Sequence, residues 1–542
     1  MGEPLQGGRL AARAIAAEGV DVLFTLSGGH VMPIYEGCRH EDIRVVDLRH
    51  EQSAAHAAEA WGRVTRGAGV ALVTAGPGVT GTVTAIANCY ASQTPLVVVG
   101  GARPLVQAEQ GALQEFDQLS LLKPITKWAA VCPATSRIPE YVSIAFRHAL
   151  APPRGPVYLE LPADILFEEA SLDREPAPSR AVTRSFGDPE DVAMAAAFLN
   201  GAERPAIIAG GGIWWDAAAT ELAEFVENGR LPAFLNGSGR GSLPPDHELF
   251  FQHARAMALD EADVICVIGT PLDFRLRFGR FAAEKLVHVH GDPRELGRNR
   301  APDVAIVGDC AAVLGILADE VTAPANGRAP WLERLRTAEA AWWDELRPQI
   351  ESDASPIHHY RLGRELDRVL DPGTVVIGDG GDVVAAVSRV LRIHRPGHWL
   401  DPGPFGCLGV GPGYAVGVGS SGFGSHLVCV MGDGAFGLNG LDFDSLVRFG
   451  IPAVLVVGND GAWGEIRVPQ VGIYGPEGEI ATRLAPSRYD RLCEVFGGHP
   501  EHVERPEEIA PALERALGSG DPAIVNVMLD PDAMAGHTYR GL

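Results

Sequence analysis

A chain of 542 residues with a formal net charge of −24 has room for roughly two to four domains, and 46% hydrophobic residues are ample for buried cores. So acidic a surface repels nucleic acid and argues against a backbone-binding protein without a local basic patch. Lys123, Lys127 and Lys285 are the only lysines, and no GxxxxGK[ST] stretch is present, so a Walker-type phosphate loop is excluded.

The opening, MGEPLQGGRLAARAIAAEG, runs straight into an amphipathic helix, with no apolar core of signal-peptide length. Gln6 breaks the myristoylation pattern, and no apolar run approaches the ~18 residues of a membrane span. The eight cysteines are scattered without a CxxC pair, as expected of buried thiols in a reducing cytoplasm. From these features the sequence predicts a cytoplasmic protein with no membrane or nucleic-acid partner.

Three α/β blocks follow one another. The first carries the β-branched runs VDVLFTL, IRVVDL, GVALVTA, TPLVVVGG and PVYLELP between helical stretches, the pattern of a parallel sheet wrapped by helices. A proline-bearing, charged linker is predicted over 171–191. The second block has RPAIIAGGG, LPAFLNG, ADVICVIGT, KLVHVHGDP and DVAIVGD, closed by a tryptophan-bearing helix over 331–356. The third has GTVVIGDGG, HLVCVMGDGAF, IPAVLVVGND and PAIVNVML. The expectation is three doubly wound parallel-sheet domains over 1–175, 188–345 and 355–542.

The sharpest local signal is in the third block. A predicted strand ends in Gly432-Asp433-Gly434, and Asn459 ends the next. Ligands of open α/β sheets bind at such strand ends. A carboxylate and an amide carbonyl are hard oxygen donors suited to Mg²⁺, and the glycines allow diphosphate oxygens close to the backbone. The same residues also form ordinary strand-end turns, and spacing alone leaves both readings open.

GDG followed after some two dozen residues by asparagine resembles the thiamine-diphosphate motif, and the likeness extends over nearly the whole chain. The sequence is similar to thiamine-diphosphate enzymes of the acetolactate synthase, oxalyl-CoA decarboxylase and 2-hydroxyacyl-CoA lyase family. On that resemblance Asp433 and Asn459 bind Mg²⁺ by side chain and Gly461 by its carbonyl; Gly458 stands where relatives have a further asparagine. Glu51, in RVVDLRHEQSAAHAAEAWGR, reads alone as a first-turn helix charge. By resemblance it is the acid that hydrogen-bonds N1′ of the aminopyrimidine. In LDPGPFGCLGVGPGYAVG, Gly406 would offer its carbonyl to the 4′-amino group, and Leu408 would be the apolar wedge that bends the cofactor. Gly378-Asp379-Gly380 fails as a dinucleotide fingerprint because the third glycine is missing.

The substrate regions are less decided. GALQEFDQLSLLKPITKW resembles a stretch in which Gln114 faces the reacting centre; acetolactate synthases typically carry phenylalanine where this chain has Leu113. FTLSGGHVMPIYE resembles the loop over the cofactor, with Ser27 in place of proline. His30 there is either an incidental loop histidine or a proton shuttle. The second block resembles the family's nucleotide-binding domain, which implies roles for Gly211, Arg255, Arg275 and Asp292, with ADP the expected occupant ahead of FAD. Arg275 reads equally as a diphosphate fork or a solvated charge.

The end, DPDAMAGHTYRGL with Tyr539 and Arg540, is expected to be a tail or a lid over CoA. The resemblance implies a homodimer or homotetramer, because Glu51 and the metal site meet across subunits in this family. The favoured activity is cleavage of a 2-hydroxyacyl-CoA to an aldehyde or ketone plus formyl-CoA. The alternatives are acetolactate-synthase-like chemistry on pyruvate or another 2-oxo acid, oxalyl-CoA decarboxylation, and a silent regulatory paralogue.

Overall fold

The computed structural model describes residues 3–172, 178–179 and 184–534. Part of the predicted linker and the tail from residue 535, with Tyr539 and Arg540, lie outside the described residues. Among those described, no helix is long and apolar enough to cross a membrane, and all eight cysteines are buried and free.

The first sheet has six parallel strands: β1 (Val22–Thr25), β2 (Arg44–Asp47), β3 (Gly69–Val73), β4 (Leu96–Ala102), β5 (Trp128–Val131) and β6 (Pro156–Pro162), in the order β2-β1-β3-β4-β6-β5. The second has five: β7 (Pro205–Ala209), β8 (Ala233–Leu235), β9 (Val264–Ile268), β10 (Lys285–His290) and β11 (Val304–Val307), in the order β8-β7-β9-β10-β11. The third again has six: β12 (Val375–Asp379), β13 (Trp399–Leu400), β14 (Leu427–Gly432), β15 (Ala453–Asn459), β16 (His499–Val503) and β17 (Ala523–Met528), ordered β13-β12-β14-β15-β17-β16. The central strands are near-continuous Val, Ile, Leu and Ala runs because helices cover both faces.

Three strands escape the sequence pattern: β5, β13 and β16. Each lies at a sheet edge, β13 is only two residues long, and β16 reads HPEHV, which carries no apolar alternation. The predicted tryptophan-bearing helix is present as Ala329–Ile350; its Trp331, Leu332 and Leu335 are buried in the second core.

The first and third sheets share one hydrophobic core through two helices, α1 (Glu51–Thr65) and α3 (Gly411–Ser421). Between them in sequence lies α2 (Asp382–Val390). Close approach of α1 and α3 depends on glycine: a Cβ on Gly417 would stand 2.1 Å from the Ala57 carbonyl oxygen, and one on Gly413 2.8 Å from that of Ser53. A buried polar cluster crosses the same contact. Glu59 accepts from Asn88 Nδ2 (3.0 Å) and lies 3.1 Å from His56 Nδ1. Arg63 donates to the Asp401 carbonyl (2.5 Å), Tyr414 Oη (3.2 Å) and Ser238 Oγ (3.2 Å), so one guanidinium ties all three sheets together.

Candidate active site

The metal-type donors sit where two central strands of the third sheet end. β14 and β15 pair in parallel with Gly432 opposite Gly458, which sets Asp433 and Asn459 side by side at the carboxyl edge. Asp433 opens α4 (Asp433–Asn439), and its Oδ1 accepts from the Gly434 N–H at 2.9 Å. Asn459 Nδ2 donates to the Ser487 carbonyl (2.8 Å) and Asn526 Oδ1 (3.1 Å), which turns its Oδ1 the other way. Asp433 Oδ2 and Asn459 Oδ1 are then buried oxygens with no protein partner. Buried polar atoms are almost always satisfied, so this pair marks a place for a cation.

Gly461 adopts φ +64°, and its carbonyl already accepts from the Leu484 N–H at 2.6 Å, leaving one lone pair for a metal. Gly434 must lack a side chain, because a Cβ would meet the Trp463 ring at 2.7 Å.

Further carboxylates gather here. His359, Asp382 and Asp460 present ligand atoms within 4.8 Å of one another, and Asp460 Oδ2 is also without a partner. Burial, reinforced by the charges of Asp382 and Asp433, pushes Asp460 up to about 8; burial takes Asp433 up to about 6. So much negative charge in one apolar niche is what a divalent cation relieves. The donor set, all oxygen apart from one imidazole, fits Mg²⁺ rather than Zn²⁺.

The loop with Gly406 and Leu408 lies beside this edge. Gly406 is exposed with φ +67°, and Leu408 is half-buried at the rim of the shared core. Asp379, at the end of β12, accepts from the N–H groups of Gly409 (2.9 Å) and Gly411 (2.7 Å), while Asn439 Nδ2 donates to the Gly409 carbonyl at 2.8 Å. Sequence reasoning passed over Asp379 as part of a failed fingerprint; an acid ending a buried strand, ahead of glycines, was the available signal.

On the first sheet, Glu51 is half-buried at the first position of α1, its Oε2 2.9 Å from where a Gly81 Cβ would lie. His30 Nδ1 lies 3.1 Å from Thr74 Oγ1, and Thr74 donates to Gln114 Oε1 at 3.4 Å, so the two substrate-side residues share one threonine that the sequence reading missed. Burial lowers the His30 pKa, partly opposed by a hydrogen bond to the Leu113 backbone. Among the described residues, no hydrogen bond or ion pair joins Glu51 to Asp433, Asn459 or Gly461.

A separate cavity of about 1180 Å³ opens between the second sheet and the other two. Gly211, Arg275 and Asp292 line it; Arg255 is not among the lining residues. Arg255 is half-buried near Arg240, Arg275 and Arg277, and burial with these like charges lowers it to about 10. Arg275 pairs with Asp273 at 2.6 Å. Asp292 is held below the usual carboxylate range by Arg294, against the opposing effect of burial. Lys127, Arg154 and Arg294 converge on one side, and burial plus the two arginines brings Lys127 down to about 8. Neither Lys127 nor Arg154 was singled out from the sequence.

A half-site of orphaned oxygens at the strand ends, a clamped apolar loop beside it and a glutamate-headed helix packed through the same core define an enzyme that binds thiamine diphosphate. The chain belongs to the thiamine pyrophosphate enzyme family: residues 5–121 match its N-terminal TPP binding domain, 192–317 its central domain and 379–527 its C-terminal TPP binding domain. Two curated relatives bracket it. The acetolactate synthase large subunit IlvG of Mycobacterium tuberculosis is 40% identical over 98% of this chain and 96% of its own. The 2-hydroxyacyl-CoA lyase 2 of Homo sapiens is 32% identical over 96% of this chain and 90% of its own.

Proposed function

We propose that the enzyme is a thiamine-diphosphate-dependent carbon–carbon lyase acting on a 2-hydroxyacyl-CoA and releasing an aldehyde or ketone plus formyl-CoA. When bound, the cofactor supplies a nucleophilic carbon and an electron sink. Asp433, Asn459 and Gly461 would hold Mg²⁺, and the flanking Gly432 and Gly434 would leave room for the diphosphate. Leu408 would support the cofactor as an apolar wedge, Gly406 would offer its carbonyl to the 4′-amino group, and Glu51 would hold the proton at N1′. His30 and Gln114 face the substrate, His30 as the group that moves its proton.

The observation that carries the substrate class is the apolar surface bordering both halves of the site. Met32, Leu113 and Phe116, beside His30 and Gln114, are 55%, 77% and 53% exposed; Ile466 and Ile473 on α5 (Gly464–Tyr474) are 53% and 71% exposed. The partner copy proposed below would cover part of this surface; the apolar side chains beside His30 and Gln114 suit a longer acyl chain than the methyl group of pyruvate. The second reading, acetolactate formation from pyruvate, is favoured by the 40% identity to acetolactate synthases of two mycobacteria.

Purified protein loaded with thiamine diphosphate and Mg²⁺ is offered a 2-hydroxyacyl-CoA and, separately, pyruvate. Formyl-CoA release supports the first reading. Acetolactate without CoA turnover overturns it in favour of the second.

In the interdomain cavity Gly211, Arg275 and Asp292, with Lys127 and Arg154, bind a nucleotide diphosphate, ADP in preference to FAD. Mass spectrometry of the small molecule released on denaturation decides between them. The assembly is a homodimer or homotetramer in which Glu51 of one copy serves the metal half-site of another, a reading supported by membership of the family. Light scattering tests the assembly. Eight free, buried cysteines support a reducing, cytoplasmic setting.

A further inference from the structure

Gln118 lies in the stretch GALQEFDQLS, between polar neighbours, yet it is only 2% exposed. Its Oε1 accepts from the Gly76 N–H at 2.6 Å. Its Nε2 reaches Glu160 Oε2 (2.9 Å), Tyr158 Oη (3.0 Å) and the Gly101 carbonyl (3.1 Å). This network fixes the amide orientation, since the opposite flip would set an NH₂ group against the Gly76 N–H.

The two backbone points it holds are the two against which the substrate-side residues stand. Gly76 adopts φ +58°, and a Cβ there would lie 2.9 Å from both the carbonyl oxygen and the Cβ of Gln114. A Cβ on Gly101 would lie 2.6 Å from His30 Cβ. Thr74, two residues before Gly76, bridges His30 and Gln114 from the same turn. Gln118 touches neither His30 nor Gln114 in any hydrogen bond, but one buried amide fixes the backbone under both.

We infer that Gln118 is the positioning residue of the substrate side: by clamping Gly76 and Gly101 it sets the spacing of His30 and Gln114 for turnover without touching cofactor or substrate. The inference rests on the proposal that His30 and Gln114 face the substrate. A reacting group misplaced by about 1 Å costs on the order of 10²-fold in rate, so the expected effect is on kcat.

The test uses the full-length holoenzyme with whichever of the two substrates it turns over. Q118L removes every polar contact. It is expected to lower kcat about 10- to 100-fold while the Kd for thiamine diphosphate, read by tryptophan quenching, stays within about twofold. Q118E keeps the acceptor for Gly76 but sets a second carboxyl against Glu160, with Tyr158, Arg103 and Asp117 as the other titratable or charged neighbours. One shared proton restores the donor, so Q118E should regain kcat as pH falls, relative to the wild-type profile.

H30A and Q114A are run alongside. If both leave turnover intact, the site reading fails and takes this inference with it. If they lower kcat but Q118L does not, the clamp alone is overturned. An equal loss of cofactor affinity and kcat in Q118L would make Gln118 a general structural residue, which also overturns it. Should Q118L not fold, the acid recovery of Q118E decides, and a pH profile parallel to wild type counts against the clamp.

Discussion

Replacing Asp379 by asparagine should separate the stability of the third domain from its grip on the cofactor. The carboxylate is wholly buried, and burial lifts its pKa from 3.8 to about 6 despite the two N–H donors of Gly409 and Gly411. That rise corresponds to about 3 kcal/mol of uncompensated charge burial at neutral pH. Asparagine removes this cost but can accept only one of the two N–H groups and turns an NH₂ toward the other, a loss of about 2–3 kcal/mol. The opposing terms leave net stability within about 1 kcal/mol of wild type at pH 7.5.

The loop carrying Gly406 and Leu408 loses one anchor, so affinity for thiamine diphosphate with Mg²⁺ should fall about 10- to 100-fold by calorimetric titration. The pH dependence has a definite sign. Because the folded pKa of Asp379 is raised, its contribution is fully present below 3.8 and is lost as pH rises through about 6. Between pH 7.5 and 5.5 the wild type should therefore gain about 1 kcal/mol over D379N in urea unfolding. A pH-independent difference together with unchanged cofactor affinity would refute the reasoning.

E51Q should lower turnover by about 10²-fold or more with its unfolding midpoint unchanged, because Glu51 is half-buried and the acid acts only on bound cofactor. D433A deletes an orphaned buried oxygen, so the metal-free protein should be no less stable, while the rise in Tm on adding Mg²⁺ disappears. G417A forces a methyl group to 2.1 Å from the Ala57 carbonyl, which should part α1 from α3 and cost about 1–3 kcal/mol in denaturant unfolding.

Much of the fold was legible because its central strands are runs such as VALV and VICVI, whose apolar continuity announces burial on both faces. Three of the edge strands, β5, β13 and β16, were not, since pairing on one side suffices for a strand such as HPEHV without an apolar pattern. At the site, Asp433 and Asn459 could be read from strand-end chemistry plus resemblance. Asp379 carried the same strand-end signal but was passed over; Thr74 and Gln118 carried none, since their importance comes from a backbone N–H or a side chain tens of residues away. Arg63 was hidden for the same reason, as a helix arginine whose acceptors lie in two other domains.

The first and third sheets have the same rank order of strands, so the chain carries one topology twice. β2 and β13 occupy the same place in the two sheets, so the helix headed by Glu51 and the helix after Leu408 are counterparts, and they pack together in the shared core. The positions matching Asp433 and Asn459, just past β3 and at the end of β4, hold Thr74 and Ala102, which cannot together bind a divalent cation. Of these two equivalent strand ends, it is the third sheet's that carries the hard oxygen donors. Two copies of the topology in each chain therefore present, at these strand ends, one set of metal-type donors.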